Sequence, residues 1–166
     1  MIIGVDAGVK TGIAIFENRQ LVGLKTLTPY QAICFFQENA SKITKAVIEY
    51  SKGQSYIFNQ RSEMSKAVMG RLGRNIGQVD GLCDIFIECF ESNKIEVHKH
   101  TPLGKGSKWN KEEFRHFFPQ WKNRTNEHGR DAAKIVFKFN HHLTPQGGKP
   151  FLKAHHSLNQ EAKTAL

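Results

Sequence analysis

Apolar positions along this chain form short runs at the start and long helical stripes later. The runs IIGVD (2–6), GIAIF (12–16) and LVGLKTL (21–27) are β-branched and apolar, with turn residues between them. That pattern predicts three short strands in an antiparallel meander over 2–27. From Thr28 the spacing changes. Ala32, Phe35, Phe36, Ile43, Val47 and Ile48 recur at helical intervals, Thr28 suits an N-cap, and Pro29 suits the first helical position. The stretch 28–52 therefore reads as a helix, with ENAS (38–41) as a place where it could break. Gly53 ends it, and SYIF (55–58) reads as a fourth strand.

The segment 63–91 carries the clearest helical signal. Val68, Leu72, Ile76, Val79, Cys83, Phe86 and Phe90 step by three or four, making one apolar stripe. Gly70, Gly73, Gly77 and Gly81 step in the same way on the opposite side. Each interior glycine costs about 1 kcal/mol relative to alanine. Four on one face predict close packing against bare backbone by another helix, a partner subunit or a nucleic-acid backbone; the alternative is a helix broken near Gly77. KIEVHKHT (94–101) reads as a fifth strand, PLGKGSKWN (102–110) as a basic loop and KEEFRHFF (111–118) as a short helix stopped by Pro119. RTNEHGRDAAKIVFKFNHH (124–142) reads as a final helix capped by Thr125 or Asn126.

The resulting order, β-β-β-α-β-α-β-α-α, predicts an α/β fold. Its mixed five-stranded sheet has three antiparallel strands followed by parallel additions, with helices on both faces. One domain is expected over 1–143, and the polar, basic tail 144–166 is expected to be partly mobile.

Composition narrows the class. With 166 residues, 39% hydrophobic and 23% charged, the chain can bury a core without staples. No apolar run approaches the roughly 18 residues of a membrane span, and the start MIIGVDAG lacks a basic leader, so the expected compartment is the cytosol. Cys34, Cys83 and Cys89 sit among apolar neighbours without C-x-x-C spacing and read as buried reduced thiols. Charge changes the picture most: 24 Lys plus Arg against 15 Asp plus Glu give +9, which points to a polyanionic partner.

The chemistry concentrates at two places. Asp6 ends the first strand and is followed by Gly8 and Gly12. A carboxylate there is hard to bury unless it is paired or bound to a cation, and the glycines let a ligand or another strand approach. It could equally cap a turn. EHGRDAA places His128 and Asp131 three apart, on one face of the first turn of the last helix, where they could reach a metal at a sheet edge or simply be solvated.

These stretches resemble a known family. IIGVDAGVKTGIAIF (2–16) is similar to the first strand pair of the RuvC-type Holliday-junction resolvases, within the RNase H-like nuclease superfamily. GRLGRNIGQVDGLCDIF (70–86) resembles their central helix, KHTPLGKGSKWNKEEFRHFF (99–118) their basic loop and following helix start, and HGRDAAKIVF (128–137) their closing helix. The resemblance runs from about residue 2 to 140 and rests on the order and spacing of short motifs.

The resemblance implies a structure-specific endonuclease that resolves four-way DNA junctions by two-metal-ion phosphodiester hydrolysis. It uses two Mg²⁺ per site, with Mn²⁺ able to substitute. Asp6, His128 and Asp131 match the ligand positions in the first strand and closing helix. The family's remaining carboxylate follows the fourth strand, and on the reading above that place falls to Asn59. Asparagine lacks the charge that Mg²⁺ binding depends on. The chain is then an inactivated variant, a natural weakened relative, or one in which Glu63 or Glu127 substitutes. Lys66, Arg71, Arg74, Lys105, Lys108, Lys111, Arg115, Lys122 and Arg124 are the candidate DNA-backbone contacts, and Trp109 an anchor of the basic loop. A homodimer through the helix at 70–90 fits two matched cuts, and a nucleoid or phage-infected cell fits as a setting. The rival readings are an RNase H-like nuclease acting on RNA–DNA hybrids and a structure-specific DNA-binding protein without cleavage.

Overall fold

The computed structural model describes residues 1–53, 65–101 and 108–142. Three strands open the chain: β1 (Ile2–Asp6), β2 (Thr11–Glu17) and β3 (Gln20–Leu27). They form the expected antiparallel meander. The β2–β3 hairpin turns on Asn18 and Arg19, both at positive φ (48° and 66°), the geometry that matches the twist of the flanking strands.

The next element departs from the sequence reading. Thr28 does cap a helix, in a reciprocal capping box with Gln31 and with Pro29 at its start, but that helix, α1 (Pro29–Glu38), stops after ten residues. Asn39 closes it, its side-chain amide donating to the Phe35 carbonyl (2.8 Å). The chain then forms β4 (Lys45–Glu49) rather than continuing the helix expected over 28–52. The physical reason is burial on both faces. Ala46, Val47 and Ile48 are all fully buried, as in the continuous apolar runs of parallel strands. Such a run shows no alternation, and its spacing also satisfies a helical template. The strand expected at 55–58 lies outside the described residues.

β4 runs parallel to β1, and β5 (Glu96–His100) runs parallel to β4. The order β3-β2-β1-β4-β5 is the expected mixed five-stranded sheet, antiparallel on one side and parallel on the other. Its faces are covered separately. Ile3, Val5, Ile13 and Ile48 join α1 and α2 (Lys66–Ser92) through Phe36, Phe86 and Phe90. Ala14, Phe16 and Val47 join α3 (Lys111–Phe117) and α4 (Glu127–His142) through Phe114, Ala132 and Val136.

Two features fix the elements that reach the site. First, α2 is continuous over 27 residues, so the break near Gly77 does not occur. Its buried face is concentrated at Cys83, Phe86, Ile87 and Phe90, while Gly70, Gly73, Gly77 and Gly81 face open space with nothing of the described chain within 4 Å. The close packing expected there is not supplied by another helix of the described chain. Second, α4 lies with its backbone directly on the sheet. A Cβ on Gly12 would come within 2.1 Å of the His128 carbonyl oxygen, and one on Gly4 within 2.2 Å of that of Ala132. Gly12, after Asp6, and Gly4, before it, thus admit a helix, while Gly8 meets only Lys10.

Asn110 caps α3 by accepting from the amides of Glu112 and Glu113, while Glu113 returns a bond to the Asn110 amide. Asn110→Ala is expected to cost about 1 kcal/mol, or about 2–4 °C in melting temperature for a chain of this size. Thermal melts of the two proteins check this.

Candidate active site

The site is built at the C-terminal edge of β1 and β4. The last paired residues of these strands are Val5 and Ile48. One step further along each strand stand Asp6 and Glu49, so parallel pairing brings two carboxylates to neighbouring strand tips. The turn after β4 is tied to α2: Ser51 donates to Asp80, and Lys52 pairs with Asp84. Inside this junction the buried Cys83 thiol donates to the Glu49 carbonyl oxygen (3.3 Å). Burial, with the added negative charges of Asp80, Asp84, Glu49 and Asp6, pushes the thiol up to about 12. It is a neutral group at neutral pH, and both strand-tip carboxylates are near enough to act on it.

The third wall is the first turn of α4. Asn126 caps it, its side-chain oxygen accepting from the Gly129 amide (2.9 Å). Thr26 of β3 holds that cap from outside (2.9 Å). His128 and Asp131 share one face, as expected. His128 Nδ1 lies 3.2 Å from Asp6 Oδ2, and its Nε2 lies 3.7 Å from Glu127. Asp131 is only 1% exposed, and neither of its carboxylate oxygens has a hydrogen-bond partner. Its Oδ2 stands 3.3 Å from the Lys108 ammonium, an ion pair at long range. Desolvation lowers the lysine, but the attraction of Asp131, helped by Glu127 and Asp6, outweighs it and holds Lys108 above its ordinary value. Lys108 therefore stays charged throughout the neutral range.

A cleft of about 500 Å³ opens beside Asp6 and His128, lined by these two, by the turn to Lys10, by Asn75, Gln78 and Val79 of α2, and by Lys108; Glu49 and Asp131 do not line it. Of the expected site residues, the structure brings Asp6 to His128 and Asp131 to Lys108. Asn59, Glu63 and Lys105 lie outside the described residues. Lys66, Arg71 and Arg74 are exposed on α2, Lys111 and Arg115 on α3, and Lys122 and Arg124 on the segment before α4. Trp109 is an anchor: it is buried and stacked on Phe117 at 4.5 Å, and its carbonyl accepts from Arg130 (2.9 Å).

The sequence reading missed Glu49, Lys10, Asn75 and Gln78. For Glu49 a signal existed, since KAVIE repeats the form of IIGVD, an apolar run ending in a carboxylate.

Among the described residues, no three Asp, Glu, His or Cys side chains stand close enough together to hold a metal ion as they are. The donor set nevertheless fits a hard divalent cation. Carboxylate oxygens come from two strand tips, and the buried Asp131 carboxylate lacks the hydrogen bonds that would otherwise satisfy it. No described helix is long and apolar enough to cross a membrane.

No protein-family model matches the chain, and no curated protein matches it. Among solved structures, the chain is similar to RuvC of T. thermophilus, a structure described as a complex with Holliday junction substrate. The match has 13% sequence identity and a TM-score of 0.50, and covers 81% of this chain and 89% of that one. Identity at this level speaks for architecture, and the architecture of this chain, a mixed five-stranded sheet between two helical layers, is the RNase H-like fold of RuvC.

Proposed function

We propose that this protein is a metal-dependent endonuclease acting on four-way DNA junctions. The observation that carries the reading is the contact of His128 with Asp6 at the tip of β1, 3.2 Å apart in a RuvC-like fold, with Glu49 at the neighbouring strand tip and the Asp131 carboxylate, three residues along α4 from His128, buried and short of hydrogen bonds.

Asp6, Glu49 and Asp131 are the groups that would hold Mg²⁺, two ions per site with Mn²⁺ able to substitute, and His128 completes the set. When bound, the ions supply Lewis acidity and an activated water for phosphodiester hydrolysis. The chain's own residues do the rest. The imidazole of His128, hydrogen-bonded through Nδ1, fixes the direction of the Asp6 carboxylate. Lys10 and Lys108 give the cleft positive charge for a phosphate. Asn75 and Gln78 offer amide groups from α2 to whatever lies in the cleft. The exposed cations of α2, α3 and the segment before α4 position the DNA through its backbone.

In this reading Glu49 takes the place at the tip of the fourth strand. The homodimer belongs to the same proposal. Its seam is the open face of α2 around 70–90, where the glycines are bare and Met69 and Ile85 are 38% and 49% exposed. Small residues allow backbones to approach closely, and two sites related by symmetry suit a junction with near two-fold symmetry.

The test compares a synthetic four-way junction with a linear duplex of the same sequence, with Mg²⁺, with Mn²⁺ and with chelator. Symmetric, metal-dependent cuts in the junction alone are expected, lost in Asp131→Asn with binding retained. Equal treatment of junction and duplex would overturn the junction reading, and cutting of an RNA–DNA hybrid instead would move the protein to another RNase H-like activity. Binding without cutting under every metal condition would make it a structure-specific DNA-binding protein.

A further inference from the structure

The least satisfied charge in the site is Asp131. It is 1% exposed, without a hydrogen bond to either oxygen, and its counter-charge comes from a residue that is itself mostly in solvent: the Lys108 side chain is 65% exposed. A buried carboxylate in this position is costly unless a cation neutralises it. We propose that Lys108 is a resident counter-ion that balances the buried Asp131 carboxylate from the edge of the cleft, and that it is exchanged for a divalent cation when the site loads. The proposal rests on the reading of Asp131 as a cation-holding carboxylate.

The construction of the loop end supports an exchange rather than a permanent bridge. The backbone next to Lys108 is anchored. The Trp109 carbonyl is held by Arg130, the residue before Asp131, its ring is stacked on Phe117, and Asn110 caps α3. The lysine stem is flexible and 65% exposed, and its ammonium meets Asp131 at 3.3 Å, long for a charged pair. The ammonium can therefore leave Asp131 by rotating its own side chain, with no movement of α3 or α4. It stays at the cleft, which it already lines. Lys108 is thus a positioning residue: it acts through Asp131.

The experiment measures Mn²⁺ binding by calorimetry and metal-free melting temperature on the full chain. The proteins are wild type, Lys108→Met, Lys10→Met, Asp131→Asn and the Lys108→Met/Asp131→Asn double variant. Lys10 lines the same cleft and controls for the general effect of removing a positive charge. Lys108→Met is expected to bind Mn²⁺ about 10-fold more tightly than wild type, and Lys10→Met to change by less than about 3-fold. Without metal, Lys108→Met should melt lower by about 4 °C, and this loss should vanish in the Asp131→Asn background. Saturating Mn²⁺ should restore Lys108→Met to the loaded wild-type melting temperature.

An affinity gain no larger than that of Lys10→Met, or a metal-free melting temperature unchanged by Lys108→Met, would overturn the exchange. If Asp131→Asn loses Mn²⁺ while Lys108→Met binds as wild type does, the exchange alone fails and Asp131 remains a ligand. Wild-type affinity in Asp131→Asn removes the parent reading and the exchange together.

Discussion

Replacing Glu49 with glutamine is expected to reduce metal-dependent cleavage of a four-way junction by about 10³-fold, because a lost metal ligand forfeits several kcal/mol of transition-state stabilisation. Junction binding should stay within about 3-fold, since phosphate contacts to Lys and Arg carry the affinity. The fold should also survive. Glu49 ends its strand, and the Cys83 thiol bonds to its backbone carbonyl, which the substitution leaves in place. The companion variant is Asn59→Asp. If Glu49 holds the position at the fourth strand's tip, adding a carboxylate at residue 59 changes cleavage by less than about 3-fold, an effect too small for a restored ligand. Single-turnover cleavage and gel-shift assays on the same junction read both variants. Strong cutting that appears only in Asn59→Asp and ignores Glu49→Gln would return the role to residue 59.

The second large effect is on the fold itself. Gly12→Ala is expected to destabilise the protein by about 3 kcal/mol, at the upper end of overpacking, which lowers the melting temperature by about 6–12 °C. The added methyl would meet the His128 carbonyl oxygen at 2.1 Å and its carbon at 2.4 Å. Both are backbone atoms, so no rotamer change relieves the overlap. The helix must lift, and His128 lifts with it, away from Asp6. Cleavage by whatever fraction remains folded should therefore fall as well. Gly8→Ala is the control, because the nearest atom there, the Lys10 carbonyl oxygen, lies at 3.4 Å. Its stability should change by less than about 1 kcal/mol. Equal melting temperatures for the two variants would show that α4 does not rest on Gly12.

Much of this architecture was legible in the residues because it is local. The opening meander follows from three apolar runs and their turns, and α2 follows from a stripe that keeps its period over seven positions. The pairing of His128 with Asp131 on one helical face follows from spacing alone. β4 was hidden because a strand buried on both faces shows no alternation, and Ile43, Val47 and Ile48 satisfy a helix template as well. With β4 misread, Glu49 could not be seen as a partner of Asp6, since their proximity exists only through the parallel ladder. The glycines after Asp6 announced a close approach by a ligand or a strand, without revealing that the visitor is a helix that rests on Gly12, and on Gly4, from residue 128 onward. The Lys108–Asp131 pair belongs to the same class, since it joins a loop end to a helix through tertiary structure alone.

The ladder between β1 and β4 has a bearing on how such a site persists through sequence drift. The spacing of the two strand-tip backbone positions that carry the carboxylates is set by the distance between hydrogen-bonded strands, about 4.8 Å. That distance is fixed by peptide groups, which substitution of side chains leaves in place. The apolar residues behind Asp6 and Glu49 can therefore be exchanged for others of similar bulk, generation after generation, while the backbone positions that present the two carboxylates stay the same distance apart.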